Sequence, residues 1–382
     1  MKILISTPYY LPNVSGITIY IKILAEELVK KGHEVTILTS WHDLKTNKEE
    51  VTNGVKIKRL KIAFKIGKGP IIPSFLAESI KEIKKHDVVN CHLPQPESFW
   101  VAIVGKILNK KVFLTHHTDL SFWKGFKNKL IDGGVFICQY LAALLSNKII
   151  SYTSDYAKNS YFLKRFLNKT VAIYPPIKFE KKRNIKLEKK IKNIIKNKKY
   201  VIGFCGRIAK QKGIELLIKS TVLLDEKLGK ENYVILMAGP TKVIGENYYD
   251  FLKRKYKKIL KNKFFFLENI ERKFLSNFYK KIDVLVLPSD DTLESFGWVQ
   301  IEAMKCGTPC VATNLPGMRV PVLKTGLGEL FENKNEIDLA NKLELVLKKQ
   351  KKYYKDKFNK NIKIFDYKKT INNYERLFSE RI

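Results

Sequence analysis

The stretch Val201-Ile-Gly-Phe-Cys205-Gly206-Arg207-Ile-Ala-Lys210-Gln-Lys212-Gly213-Ile214 decides how this chain of 382 residues folds. A continuous apolar run ends in Gly-Arg, passes through a basic loop and enters an amphipathic segment carrying Leu216, Leu217 and Val222. An apolar run without alternation suits a strand buried on both faces, as in a parallel sheet covered by helices. Similar runs recur at Lys2–Ser6, Val35–Thr39, Val88–Cys91, Val112–Thr115, Ile149–Tyr152, Val234–Ala238, Val284–Leu287 and Cys310–Ala312. Longer amphipathic segments separate many of them, which is an α/β pattern. Polar or glycine residues follow each run, among them Thr7-Pro8, His92, His116-His117, Thr153-Ser154, Gly206-Arg207, Gly239-Pro240 and Ser289-Asp290. Open parallel sheets bind their ligands at those strand ends.

At roughly 150 residues per domain, the length predicts two domains. A composition break at residues 178–199 holds eleven Lys/Arg against two Glu. Leu187, Ile191, Ile194 and Ile195 share one helical face there. The segment reads as a linker whose short helix packs on the second domain, or as a basic membrane contact. The expected organisation is an N-terminal domain over 1–178, a basic linker over 179–199, a C-terminal domain over 200–362 and a terminal helix over 363–382. That helix is expected to pack back toward the N-terminal domain.

Lys+Arg number 72 against 37 Asp+Glu, a formal charge of +35, and 45% of residues are hydrophobic. This excludes wholesale disorder and disfavours an acidic binding surface. It suits phosphorylated ligands, polyanions or anionic lipid. Nucleic acid is an unlikely partner, because the basic residues are spread along the chain and carry no recognised motif. The five cysteines, Cys91, Cys138, Cys205, Cys306 and Cys310, are odd in number and irregular in spacing. They read as reduced thiols of a cytoplasmic protein. Met1–Ser6 already reads as a strand, so no signal peptide is expected. The longest apolar stretch, near 135–145, is interrupted by Gln139 and is too short to span a bilayer. The aromatic-basic stretch Phe122-Trp-Lys-Gly-Phe-Lys-Asn-Lys129 suits peripheral contact with an anionic membrane at the inner face of the plasma membrane.

There is no GxxxxGK[ST] loop, no GxGxxG after a strand, no GxSxG elbow and no Asp-x-Asp. Cys306 and Cys310 lack the partner pair that a zinc site needs. No metal site is expected, and a phosphate ligand would have to be neutralised by basic side chains and helix N-termini. Arg207 offers a planar fork for phosphate oxygens and Lys212 a point charge, while Gly206 and Gly213 allow close backbone approach.

The strongest signal is Ser289-Asp-Asp-Thr-Leu-Glu294-Ser295-Phe296-Gly297-Trp298-Val-Gln-Ile-Glu302-Ala-Met-Lys-Cys306-Gly307-Thr-Pro309. A strand ends at Pro288-Ser289, and a helix is predicted from near Ser295–Gly297 to Gly307. Glu294 then precedes the helix and Glu302 lies about two turns inside it. Two carboxylates beside an anion site suit neutral hydroxyls, such as those of a sugar or ribose, held next to a phosphate. In the first half, His33 reads as a helix-end dipole partner. His92 is a candidate lining residue, although a structural role is the favoured reading for it.

These features together resemble the retaining glycosyltransferases of family 4. Glu294-x7-Glu302, the following Ala-Met-Lys-Cys-Gly-Thr-Pro and Asn314-Leu-Pro-Gly317 match that family's signature. Gly206-Arg207 with Lys212-Gly213 matches its phosphate-binding segment. Tyr9…Gly16 and Gly32-His-Glu-Val-Thr match its N-terminal domain. The resemblance covers nearly the whole chain. It implies the GT-B fold, two Rossmann-like domains with parallel sheets facing a central cleft. By the same resemblance, Arg207 and Lys212 would neutralise the donor diphosphate without metal. Glu302 would hold ribose hydroxyls and Glu294 the transferred sugar. Backbone near Ser295, Phe296, Gly297 and Trp298 would bind sugar and phosphate, and Gly16 would approach the phosphate. The base, of a UDP-sugar by expectation, would sit near Leu267–Ile270. His117, in Leu114-Thr-His116-His117-Thr118-Asp119, resembles the family's strand-end histidine facing the acceptor. Two departures stand out. Ser15-Gly16 replaces a frequent glycine pair, and Tyr174-Pro-Pro-Ile177 stands where many relatives carry Asn-Gly.

The resulting expectation is transfer of a hexosyl unit from a nucleotide diphosphate sugar to a glycan or lipid-linked acceptor of the cell envelope, with retention. The alternatives are a nucleotide-sugar epimerase or phosphorylase on the same fold, and a polyanion-binding protein.

Overall fold

The computed structural model describes residues 1–67, 69–120, 126–241, 247–291 and 293–380. Residues 122–125 of the aromatic-basic stretch 122–129 fall outside them. The chain forms two compact units, Met1–Pro176 with Tyr367–Ile382, and Ile177–Asp366.

In chain order the first unit contains strands β1 (Lys2–Ser6), β2 (Glu34–Trp41), β3 (Glu49–Thr52), β4 (Val55–Lys61), β5 (Phe64–Ile66), β6 (Gly69–Ile71), β7 (Val88–Leu93), β8 (Lys111–His116), β9 (Lys148–Ser151) and β10 (Thr170–Ala172). Eight of them form one sheet in the order β10-β9-β8-β7-β1-β2-β4-β3. Every pairing is parallel except β3 with β4. β5 and β6 make a separate antiparallel pair. Ile3, Leu4, Ile5, Val89, Cys91, Phe113 and Leu114 are fully buried, as strands covered on both faces require.

The second unit contains β11 (Tyr200–Cys205), β12 (Tyr233–Ala238), β13 (Phe264–Phe266), β14 (Val284–Leu287), β15 (Cys310–Thr313) and β16 (Gly328–Phe331). They form an all-parallel sheet in the order β13-β12-β11-β14-β15-β16. All nine apolar runs of the sequence are strands. β3, β4 and β10 lacked that signal because they lie at or next to the sheet edges, where polar residues alternate in.

Residues 179–199, read as a linker whose short helix packs on the second domain, are grouped with the second unit, which begins at Ile177. Their helix, Ile185–Ile194, is capped by Asn184, whose side chain accepts from Leu187 N–H. It buries Ile191 completely and packs on the Leu275–Lys281 helix. Asn277 bonds to the backbone at both Lys182 and Asn184. The terminal helix, Tyr367–Ser379, belongs to the first unit. Phe378 packs against Phe113 with its ring tilted, centroids 4.9 Å apart, and Thr370 donates to Tyr174 O at 2.9 Å. His33 stands at the end of the Gly16–Lys30 helix, where its ring bonds Glu375 of the terminal helix at 2.9 Å and the Met1 amino group at 3.2 Å.

Candidate functional site

In the second unit the polar residues gather where β11 and β14 end. β11 runs into Gly206 and Arg207, then a short 3-10 turn over Lys210–Lys212. Gly213 takes φ +64°, and a Cβ there would lie 1.8 Å from Pro288 O, so the turn admits glycine alone. That close approach sets Lys212 beside the loop that follows β14. The Lys212 ammonium pairs with Glu294 Oε2, and Gly297 N–H donates to Glu294 Oε1 at 3.1 Å. Both side chains of the pair are partly buried, at 18% and 23% exposure. Arg207 is exposed and makes no ion pair among the described residues.

Gly297, at φ +74°, caps the helix Trp298–Met304. This helix is shorter than expected, so Glu302 sits about one turn inside it rather than two. Its carboxylate is buried at 4% exposure. A charge so far from water needs partners. Arg272 supplies one at 2.7 Å to Oε1, and the Tyr279 hydroxyl donates to Oε2 at 3.1 Å. The Arg272 guanidinium also lies over the Trp298 ring at 5.5 Å. Burial, the neighbouring Cys205 and Glu302 all push the Tyr279 hydroxyl well above its ordinary range, so it donates at neutral pH. Burial pushes the Cys205 thiol up to about 12, which leaves it protonated.

Ser295 and Phe296 are buried, and Phe296 packs on Phe365 at 5.7 Å. Ile270 is half-buried on the loop after β13. That loop is pinned where Gly239 N–H donates to Glu268 O at 2.8 Å. The structure therefore brings Lys212, Glu294 and Gly297 together, and separately joins Glu302 to Arg272. Arg272 and Tyr279 were missed by sequence reasoning. Arg272 lies in Glu271-Arg-Lys-Phe274, one basic residue among 72 Lys and Arg. Tyr279 is an ordinary inward helix residue.

In the first unit, Gly16 opens the helix Gly16–Lys30 behind a Ser15/Thr18 capping box. Among the described residues, apart from its chain neighbours and its own helix backbone, no atom lies within 4 Å of where a Cβ at Gly16 would stand. His117 is buried at 3% exposure just beyond β8. Its Nε2 meets His92 Nδ1 at 2.8 Å, and its Nδ1 meets the Tyr152 hydroxyl. Asn90 Nδ2 meets His92 Nε2 at 3.1 Å, and Thr115 Oγ1 donates to Asn90 Oδ1 at 3.0 Å. Thr115 also meets the Tyr374 hydroxyl at 3.1 Å, which meets that of Tyr20 at 2.6 Å. Burial pushes His92 down to about 3 and His117 well below the usual imidazole range. His116 stacks its ring on Phe162, 5.2 Å away and nearly parallel, and its Nε2 faces Asp119 at 3.4 Å. Asn90 and His92 share one strand face by the two-residue period, a signal that was available in the sequence. Tyr20, Tyr152 and Tyr374 had none.

Two family models match this chain. "Glycosyltransferase Family 4" matches residues 14–188, and "Glycosyl transferases group 1" matches residues 185–364. Each model covers just under half of the chain, and together they span residues 14–364. An uncharacterized glycosyltransferase of Methanocaldococcus jannaschii, MJ1607, is 29% identical over 343 residues, which is 83% of this chain and 82% of that one. The Staphylococcus aureus capsular polysaccharide biosynthesis glycosyltransferase CapM is 31% identical over 179 residues, covering 45% of this chain and 43% of its own. Among solved structures, Anabaena Alr3699/HepE in complex with UDP superposes with TM-score 0.77 at 17% identity, over 99% of this chain and 100% of that one. Two α/β units with parallel sheets are thus the GT-B pair. Among the described residues, no helix is long and apolar enough to cross a membrane.

Proposed function

We propose that this glycosyltransferase moves a hexosyl unit from a UDP-sugar to a hydroxyl of a glycan or lipid-linked acceptor, with retention and without a metal. The observation that carries the reading is the Lys212–Glu294 pair, with Arg207 exposed on the same β11 turn and in no ion pair among the described residues. A diphosphate bound by Arg207 would draw Lys212 from Glu294 by charge, since it offers more negative oxygens than one carboxylate. The freed Glu294 Oε2 then accepts from a sugar hydroxyl. Glu302, already fixed by Arg272 and Tyr279, has lone pairs left for the ribose hydroxyls. The HepE complex supports uridine as the base, and CapM, a capsular polysaccharide enzyme, supports a glycan product.

In the reaction, the bond from the anomeric carbon to the diphosphate oxygen breaks, and the electron pair leaves with the phosphate. The acceptor oxygen bonds to the same face of that carbon, and its proton passes to the leaving phosphate oxygen. Arg207 and Lys212 stabilise the charge that develops there. His117 belongs to the unit assigned to the acceptor.

A thermal-shift screen against UDP, GDP, ADP and their sugar conjugates, with EDTA present, tests this. UDP compounds should stabilise the protein, and Arg207→Ala should abolish the shift and lower kcat by about 10²–10³. Stabilisation that needs added metal, or that survives in Arg207→Ala, would overturn the assignment. Arg207→Lys should also slow turnover, because the planar fork is lost.

A further inference from the structure

The hydrogen bonds around His117 form one chain through the first unit: Tyr20, Tyr374, Thr115, Asn90, His92, His117, Tyr152. Six of its members can reverse their roles. A hydroxyl donates or accepts, and a neutral imidazole can carry its proton on either nitrogen. Asn90 cannot, because an amide nitrogen only donates and an amide oxygen only accepts. Its Oδ1 faces Thr115 Oγ1 at 3.0 Å and its Nδ2 faces His92 Nε2 at 3.1 Å. His92 must therefore accept at Nε2 and carry its proton on Nδ1. That proton points at His117 Nε2, 2.8 Å away. His117 must accept there and carry its own proton on Nδ1, toward the Tyr152 hydroxyl. Two charged rings could not share the contact, since two donors would face each other. Burial holds both rings neutral, in agreement.

We propose that Asn90, acting through His92, fixes which ring nitrogen of His117 carries the proton, and that Asn90 and His92 are positioning residues for it. The lone pair on His117 Nε2 is then kept toward a neutral donor, which a substrate hydroxyl can replace one for one. The use of that lone pair rests on the assignment of His117 to the acceptor side. The position of the proton does not.

Histidine-labelled full-length protein, without nucleotide, gives the test by long-range 1H–15N NMR. The six histidines are assigned through single His→Gln variants. His117 should appear as the neutral Nδ1–H form at pH 7 and at pH 6. Asn90→Leu removes the polar asymmetry and should bring in the Nε2–H form. Thr115→Val, which frees the amide to turn, should do the same and serves if Asn90→Leu does not fold. Tyr374→Phe leaves the Thr115 donor in place, so it should lower stability without moving the proton. A wild-type His117 that is Nε2–H, or that titrates in the ordinary imidazole range, overturns the proposal. So does an unchanged tautomer in both the Asn90 and Thr115 variants. A failed donor screen with the expected histidine spectrum would overturn the UDP-sugar reading alone.

Discussion

Where β7 and β8 end in the unit beginning at Met1, Asn90, His92, Thr115 and His117 are neutral and bonded to one another. In the unit beginning at Ile177, the side chains gathered near the strand ends include the ion pairs Lys212–Glu294 and Arg272–Glu302. Both solutions satisfy groups withdrawn from water, and their chemistries differ. A neutral chain holds direction, because the fixed polarity of one amide passes from each bond to the next. An ion pair holds charge, which a stronger anion can take over. The first suits a partner that presents hydroxyls, and the second suits one that presents phosphates.

Acid separates the two units most strongly. All six histidines lie between His33 and His117, so the second unit has none. Burial depresses His92 and His116 to about 3 and His117 well below its ordinary value. The unfolded chain takes up protons as pH falls below about 6.5, while the folded rings stay neutral. Stability from these groups is therefore complete above that pH and is lost progressively as pH falls toward 3. Each ring removes up to about 1.4 kcal/mol per pH unit. Hydrogen exchange at pH 7 and pH 5 should show protection falling in the first unit and holding in the second. Equal losses in both would break the contrast.

The charged unit yields instead to loss of one partner. Arg272→Ala leaves the buried Glu302 carboxylate without its cation and should cost about 2–4 kcal/mol in urea unfolding. Arg272→Ala combined with Glu302→Gln should recover much of that. No recovery would mean that Arg272 acts through its contact with Trp298 rather than through charge.

The smallest effect sharpens the contrast from the apolar side. Gln139, which interrupts the longest apolar stretch, is buried at 2% exposure. Its Nε2 has no partner among the described residues. Gln139→Leu should therefore stabilise the protein by about 1 kcal/mol, read as a rise in the urea midpoint. A fall would show that a bound group or water satisfies the amide.

Much of the fold was legible because strands buried on both faces carry continuous apolar runs, and β1, β7, β8, β11, β12, β14 and β15 all do. Edge strands such as β3 and β10 mix polar residues and gave little signal. The basic stretch 179–199 showed its short helix through the apolar face of Leu187, Ile191, Ile194 and Ile195, while the Asn277 bonds to Lys182 and Asn184 that seat it join residues more than 90 apart. Within the candidate site, Arg207, Lys212, Glu294 and Glu302 stood out as charges at strand-to-helix junctions. Arg272, Asn90, Tyr152 and Tyr374 did not.

The sequence by itself determined the α/β alternation, the strand ends where polar residues collect and the seven-residue spacing of the two glutamates. These follow from periodicity and from short-range turn chemistry, which neighbouring residues control. The tertiary structure alone decided which groups pair. Arg272 reaches Glu302 across 30 residues, and Thr115 meets Tyr374 across 259. Such contacts depend on how whole helices and strands pack, so no local pattern encodes them. The polarity of the histidine chain depends further on the orientation of one amide, Asn90, which is set by the groups that packing places on either side of it.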